Sequence, residues 1–210
     1  MKNIKTFREK IIKKYPRAWY ANLVHFPLFI FVLLVIICTL SFFLTTLLWW
    51  HWLVIPFAFL VSNFVEYVMH RFPMHRPIMS ATKEIYERHT IDHHLYFQNE
   101  HMYIKTWDDF SAVPAPWKTG GTFLVIIAAP LSFFFGLLLG LNAGILFFMV
   151  ALSYYLFYEI THLLIHLSPT INRLVGKTHT IHHRTRDMRF YNFNVVFPLM
   201  DILFGTHKSD

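Results

Sequence analysis

Long uncharged stretches alternate with short polar ones along this chain. No Asp, Glu, Lys or Arg occurs between Arg17 and Glu66, a run of 48 residues, and none between Lys118 and Glu159, a run of 40. A helix that crosses the hydrocarbon of a bilayer needs about 20 apolar residues. Each run therefore predicts two crossings joined by a tight turn. The expected positions are 24–45, 49–67, 122–139 and 143–162. Trp49, Trp50 and Trp52 mark the first turn, since Trp favours the membrane–water interface. Gly136, Gly140, Asn142 and Gly144 mark the second.

An even number of crossings puts both termini on one side, with nearly all the charge, because neither turn is charged. Residues 2–17 hold seven Lys/Arg against one Glu, and the positive-inside rule makes that side cytoplasmic. The expected class is thus an all-α integral membrane protein, with four transmembrane helices and a cytoplasmic helical cap. The membrane would be a bacterial inner membrane or the endoplasmic reticulum. A basic segment over 1–20 precedes a single membrane domain over 21–210. That segment reads as a basic helix on the anionic leaflet or as a solvated tail. It is too long, and lacks the small-residue pattern, for a cleavable signal.

Composition agrees with this pattern. Hydrophobic residues make up 55% and charged residues 15%, against about 25% charged in a soluble domain. Disorder, a coiled coil and most soluble folds are excluded. The single cysteine, Cys38, rules out a disulfide framework, a cysteine zinc site and an iron–sulfur cluster. The net charge of +7 suits an anionic membrane surface, and no nucleic-acid-binding motif accompanies it.

Fourteen histidines are the anomaly in so apolar a chain. Ten fall into four groups: His70 and His75; His89, His93 and His94; His162 and His166; His179, His182 and His183. The topology, drawn without them, puts all ten at or beyond the cytoplasmic helix ends. His162 and His166 are four apart and share a helix face. His179, His182 and His183 span about 100° of a helix, and His89, His93 and His94 about 140°. His70 and His75 flank Pro73, where the chain is expected to leave the helix. Ten imidazoles exceed what one ion takes, and two metals with about five nitrogens each is the natural count. Imidazole suits Fe, Zn, Cu and Ni alike.

Metals held by neutral imidazoles call for anions nearby. Glu66 lies four residues before His70, and Glu159 three before His162, so each shares a face with a candidate ligand. Both are expected to hold ligand imidazoles. Asp92 and Asp187 lie in or beside the other groups, and Asp187 is placed with the glutamates in that role. His25, His51 and His207 have no such company. His101, seven residues after His94, is an alternative member of the second group.

These residues together resemble the fatty acid hydroxylase/sterol desaturase superfamily of membrane di-iron oxygenases, and most nearly its fatty acid 2-hydroxylase branch. The matching stretches are EYVMHRFPMH (66–75), DHH (92–94), YYLFYEITHLLIH (154–166), HTIHH (179–183) and DILFGT (201–206). The likeness runs from about residue 55 to 206. One departure falls on His89: the family usually has two residues between it and the histidine pair, and here there are three. His93 and His94 are therefore the safer ligands of that group.

The resemblance implies an O2-dependent di-iron oxidoreductase in lipid biosynthesis, hydroxylating a fatty acyl chain, with 2-hydroxylation favoured. Its cofactors would be two Fe ions, which Zn can replace in isolated protein, with O2 as co-substrate. Sterol or carotenoid hydroxylation or desaturation is the alternative within the superfamily. The partners implied are a lipid substrate, the membrane and a separate electron donor of cytochrome b5 or ferredoxin type. Nothing here is long enough for a fused cytochrome b5 domain, and the basic cytoplasmic surface suits an acidic donor. Segments 97–118 and 189–206 are expected to form the cap, with Trp107, Trp117, Phe193 and Phe197 as candidate wall residues. A non-catalytic metal carrier is the competing class. It would need polar residues through the bilayer midplane, and the charge-free crossings oppose it.

Overall fold

A computed structural model describes residues 2–14, 24–98, 101–115, 117–175 and 177–209. Residues 15–20 of the basic segment and the side chain of Trp117 lie outside the described part. The described chain is helical, with no strand. Its elements are α1 (Lys2–Lys14), α2 (Phe26–Ser41), α3 (Trp49–Met74), α4 (80–94) and α5 (Trp107–Phe110), then α6 (117–139), α7 (Leu141–Leu167), α8 (Pro169–Leu174), α9 (Thr178–His182) and α10 (Leu199–Leu203).

Three helices are long and apolar enough to cross a membrane: α3, Thr119–Leu139 of α6, and α7. The helix α2 has 16 residues, about 24 Å at 1.5 Å per residue, short of the ~30 Å hydrocarbon core. The helices α3 and α7 run on past the expected ends at residues 67 and 162, to Met74 and Leu167. The apolar pattern stops at Glu66 and Glu159, but their carboxylates find donors inside the protein, so nothing ends the helix there. Apolar side chains face outward: Leu28 and Phe31 on α2, Val125, Ile126, Phe133 and Leu137 on α6. Such a surface suits the hydrocarbon of a bilayer.

Two glycines fix the α6–α7 hairpin. Gly140 stands at φ +89°, a left-handed conformation that ends α6. Gly144 allows close approach, since a Cβ there would lie 2.8 Å from both Gly136 Cα and Ser132 O. Beside this turn, Asn142 Oδ1 accepts from Thr45 N at 3.1 Å, and its Nδ2 donates to Thr46 O at 3.2 Å. The two charge-free turns are thereby tied together at one end of the bundle. Val54, Ala58, Ala143, Leu146 and Phe147 form the core beneath them.

At the opposite end α1 packs on the protein, which differs from both readings of the basic segment. Ile11 is buried, with Phe7 and Ile12, against Tyr96, Phe97, Val113 and Leu163. Arg8 pairs with Asp109 at 2.6 Å and lies over the Tyr96 ring, and Lys14 pairs with Asp92 at 2.5 Å. Phe7 and Ile11 are four apart, so one apolar stripe exists even in so basic a helix. Lys5, Lys10 and Lys13 stay exposed on its outer face.

Candidate metal centre

The structure brings all ten grouped histidines together, in two sets of five. One set is His70, His75, His89, His94 and His182; the other is His93, His162, His166, His179 and His183. None is more than 9% exposed. The sets abut: the His94 and His183 rings stack across the boundary with centroids 4.1 Å apart. His101 belongs to neither set. His51 stacks on Trp50 at the far turn, and its Nδ1 accepts from Leu48 N at 2.8 Å.

Local helix geometry decides who goes where. Residues His70–Met74 and Glu87–His94 are wound as π-helix. Such a turn carries i→i+5 hydrogen bonds and absorbs an extra residue. His89 and His94, five apart, thus come onto one face, with Nε2 atoms 3.1 Å apart. The extra residue that set His89 apart from the family spacing is taken up in this wide turn. Pro73 does not end the helix as expected, because it sits inside the π-turn that ends α3. Each doubled histidine is divided between the sets: His93 and His183 in one, His94 and His182 in the other.

The ring orientations are set by backbone carbonyls. The Nδ1 atoms of His93, His166, His182 and His183 lie 2.7–2.9 Å from the carbonyls of Ala112, Met102, Tyr191 and Phe97. Nδ1 of His70 reaches Phe193 O. A carbonyl only accepts, so each of these Nδ1 atoms carries the proton. His75 Nδ1 donates to Thr90 Oγ1 at 3.1 Å, whose own proton goes to Met74 O. Nδ1 of His94 and of His179 is buried without a hydrogen-bond partner among the described residues.

In His70, His75, His93, His166, His182 and His183 this tautomer leaves the Nε2 lone pair turned toward the other imidazoles, and in His75–His182 and His70–His182 two such lone pairs face each other. Seven Nε2···Nε2 contacts of 2.8–3.2 Å run through the two sets. Facing lone pairs repel unless a cation lies between them. Two imidazole nitrogens about 2.1 Å from one cation and at right angles stand about 3.0 Å apart, and opposite ones about 4.2 Å. Within each set all ligand atoms lie within 4.8 Å of one another. The donor set therefore fits a metal in each group. Burial, then the neighbouring histidines, holds His75, His89 and His94 well below the ordinary histidine value. Burial does the same for His93, His179, His182 and His183. Neutral imidazoles with free lone pairs are the form that binds metal.

The carboxylates act elsewhere than expected. Glu66 touches no imidazole among the described residues. It accepts from Val195 N at 2.6 Å, from Asn194 Nδ2 at 3.0 Å and from the Tyr154 hydroxyl. Glu159 accepts from Tyr155 OH at 2.8 Å and from the Ala115 backbone. Asp187 pairs with Lys208 at 2.8 Å and Arg186 at 3.5 Å. Sharing a helix face with a histidine was the wrong guide, because the imidazoles point to loops and the carboxylates pin those loops. Arg88 holds one of them, donating to Ser111 O at 2.5 Å and Pro114 O at 3.2 Å.

The cap segments thus matter through their backbone. Residues 97–112 and 191–193 supply five carbonyls to the histidines. Of the candidate wall residues, Phe193 borders the first set, 5.6 Å from the His182 ring. Trp107 is 69% exposed, and Phe197 packs between Phe59 and Phe157 on the outer surface. Sequence reasoning gave no role to Asn63, Asn194 or Asp201. Asp201 at least stands within the quoted DILFGT stretch, as a lone acid in an apolar run.

With this geometry in hand, the comparison with known proteins is specific. The sequence model of the fatty acid hydroxylase family matches residues 55–206. The chain belongs to the fatty acid hydroxylase family. The matched span takes in all ten grouped histidines, the loops whose carbonyls orient them, and helices α4 to α10. No curated protein and no solved structure gives a match. Membership agrees with an oxidoreductase whose histidine sets could hold metal and whose helices are long and apolar enough to cross a membrane.

Proposed function

We propose that this protein is an O2-dependent di-iron lipid hydroxylase that acts on a fatty acyl chain, with 2-hydroxylation the favoured outcome. The observation that carries the reading is the pair of buried five-histidine sets, side by side at one end of membrane-capable helices. His70, His75, His89, His94 and His182 would hold one iron, and His93, His162, His166, His179 and His183 the other. Two irons held there supply the oxidising power, with O2, to replace a C–H hydrogen by hydroxyl.

The chain's own residues position and insulate. The seven imidazoles outside the long helices, His75, His89, His93, His94, His179, His182 and His183, stay neutral because burial disfavours their charged forms. The loop carbonyls fix which nitrogen faces inward. Phe193 and Phe97, both fully buried, help keep water from the two sets. A lipid would reach the centre laterally, from the bilayer that covers the exposed apolar faces of α3, α6 and α7. Electrons would come from a separate donor of cytochrome b5 or ferredoxin type.

Lipid mass spectrometry on cells making this protein, against cells making His182→Ala with His183→Ala, tests the reading. The expected result is one added oxygen on acyl chains, absent in the double variant. Loss of two hydrogens would move the assignment to a desaturase. If purified, metal-loaded protein with a chemical reductant and acyl lipid leaves the lipid unchanged, the hydroxylase reading fails.

A further inference from the structure

Residues 201–206 form a motif, DILFGT, that the histidine sets do not explain. We infer that Asp201 is a positioning residue for His70, acting through the peptide group that joins Phe193 to Asn194. The N–H of that peptide donates to Asp201 Oδ2 at 2.7 Å. The carbonyl of the same peptide accepts from His70 Nδ1. Carboxylate, peptide and imidazole therefore form one hydrogen-bonded chain. A carboxylate on the N–H raises electron density on the carbonyl oxygen, since linked hydrogen bonds polarise one another. The carbonyl then draws harder on the Nδ1 proton, and Nε2 becomes the better metal donor. The relation is that of a carboxylate–histidine–metal triad with one peptide group inserted.

Asp201 is built for this. Its side chain is 0% exposed. Oδ1 accepts from Phe193 N at 2.9 Å and from Thr206 Oγ1 at 2.7 Å. Two of the three partners are backbone N–H groups that can only donate; burial pushes the carboxyl above its ordinary value, and the three hydrogen bonds oppose that rise. The rest of the motif closes the loop. Gly205, at φ +65°, reverses the chain. Thr206 N then returns to Asp201 O at 2.8 Å, and Asn192 N reaches Thr206 O at 2.9 Å. The comparable peptides differ. The N–H behind Tyr191 O ends on the Thr206 carbonyl, and the N–H behind Ala112 O ends on the Phe110 carbonyl, both neutral. Among the carbonyls that hold an imidazole and whose peptide N–H has a described partner, that of Phe193 alone leads to a carboxylate.

The inference rests on the reading that His70's set binds a metal, and the experiment separates the two. Purified full-length protein is loaded with Fe2+, and release to excess chelator is followed in time. Wild type is expected to hold two metals. In Asp201→Asn one of them should leave about 10–100-fold faster, the range for lost outer partners of a metal ligand, while the other leaves at the wild-type rate. The substitution should add nothing to release from a His70→Ala background. Asn142→Ala, at the far turn, serves as a control that destabilises the fold without touching the relay. If Asp201→Asn releases both metals at the wild-type rate, or loosens both alike, the positioning role is overturned. If it does not accumulate as folded protein, Thr206→Val takes its place. The same single metal should loosen by a smaller factor, and unchanged release overturns the role. A wild-type chain that holds no metal overturns the metal-centre reading, and this one with it.

Discussion

Adjacent histidines on a helix point about 100° apart, so a doubled histidine cannot easily serve one ion. His93 and His94, and again His182 and His183, go to different sets, which locks the two sites to each other. The same residues set the response to acid. His75, His89, His93, His94, His179, His182 and His183 are all held well below their ordinary value by burial. Above about pH 6.5 neither the folded nor the unfolded chain protonates them. Below it the unfolded chain takes up protons that the folded chain refuses, so stability falls as pH falls, until the lowered folded-state values are reached. The slope is on the order of 1.4 kcal/mol per pH unit for each histidine so affected. Thermal unfolding of metal-stripped protein in detergent between pH 5 and 8 should show this steep acid loss. A flat profile would contradict the neutral assignment.

At the level of elements, the two π-turns do what α-helix could not. They bring pairs five residues apart, His70 with His75 and His89 with His94, into one set. The wide turn in α4 is the physical answer to one residue too many in HTIDHH. Deleting Ile91 should return that turn to α-helix, with the zero, three, four spacing already present in His179, His182 and His183. The variant is expected to keep about two metals per chain by elemental analysis. Loss of one would mean that the π-turn itself shapes the site. Ile91 is the position to remove because its neighbours are engaged, Thr90 with Met74 O and Asp92 with Lys14.

For the whole molecule, the path of α2 bears on how many times the chain crosses. The helix α2 is short, yet it begins beside the cap, where Phe26 meets Phe110 at 6.1 Å, and leads to the far turn, where Thr45 meets Asn142. It therefore covers the same depth as α6 and α7. We propose four crossings, with the bilayer thinned or flanking residues drawn in around α2, and both termini cytoplasmic. Arg8 on Asp109 keeps α1 on the histidine side, consistent with that count. In intact cells, a membrane-impermeant thiol reagent should label Thr46→Cys, at the exposed far turn, and leave Ser209→Cys unlabelled. The reverse result would invert the orientation, and labelling at both would break the even count.

Period, charge and spacing determined a good deal of this protein by themselves. Two charge-free runs required apolar helices, and ten histidines at helical spacings beyond their ends marked the candidate centre. Those signals are read along contiguous stretches of chain, the histidine spacings within a turn or two of helix. Only the tertiary structure decided the rest. It divided the doubled histidines, drew His89 in and left His101 out. It also took the glutamates away from the imidazoles and set loop carbonyls against them instead. Backbone hydrogen bonds leave no mark on residue identity, so no pattern of side chains announces that Phe97, Met102, Ala112, Tyr191 and Phe193 hold the rings. Asp201 was visible only as an acid out of place. His70, the imidazole it is inferred to position, lies more than a hundred residues away in sequence, and folding alone brings the two near one peptide group.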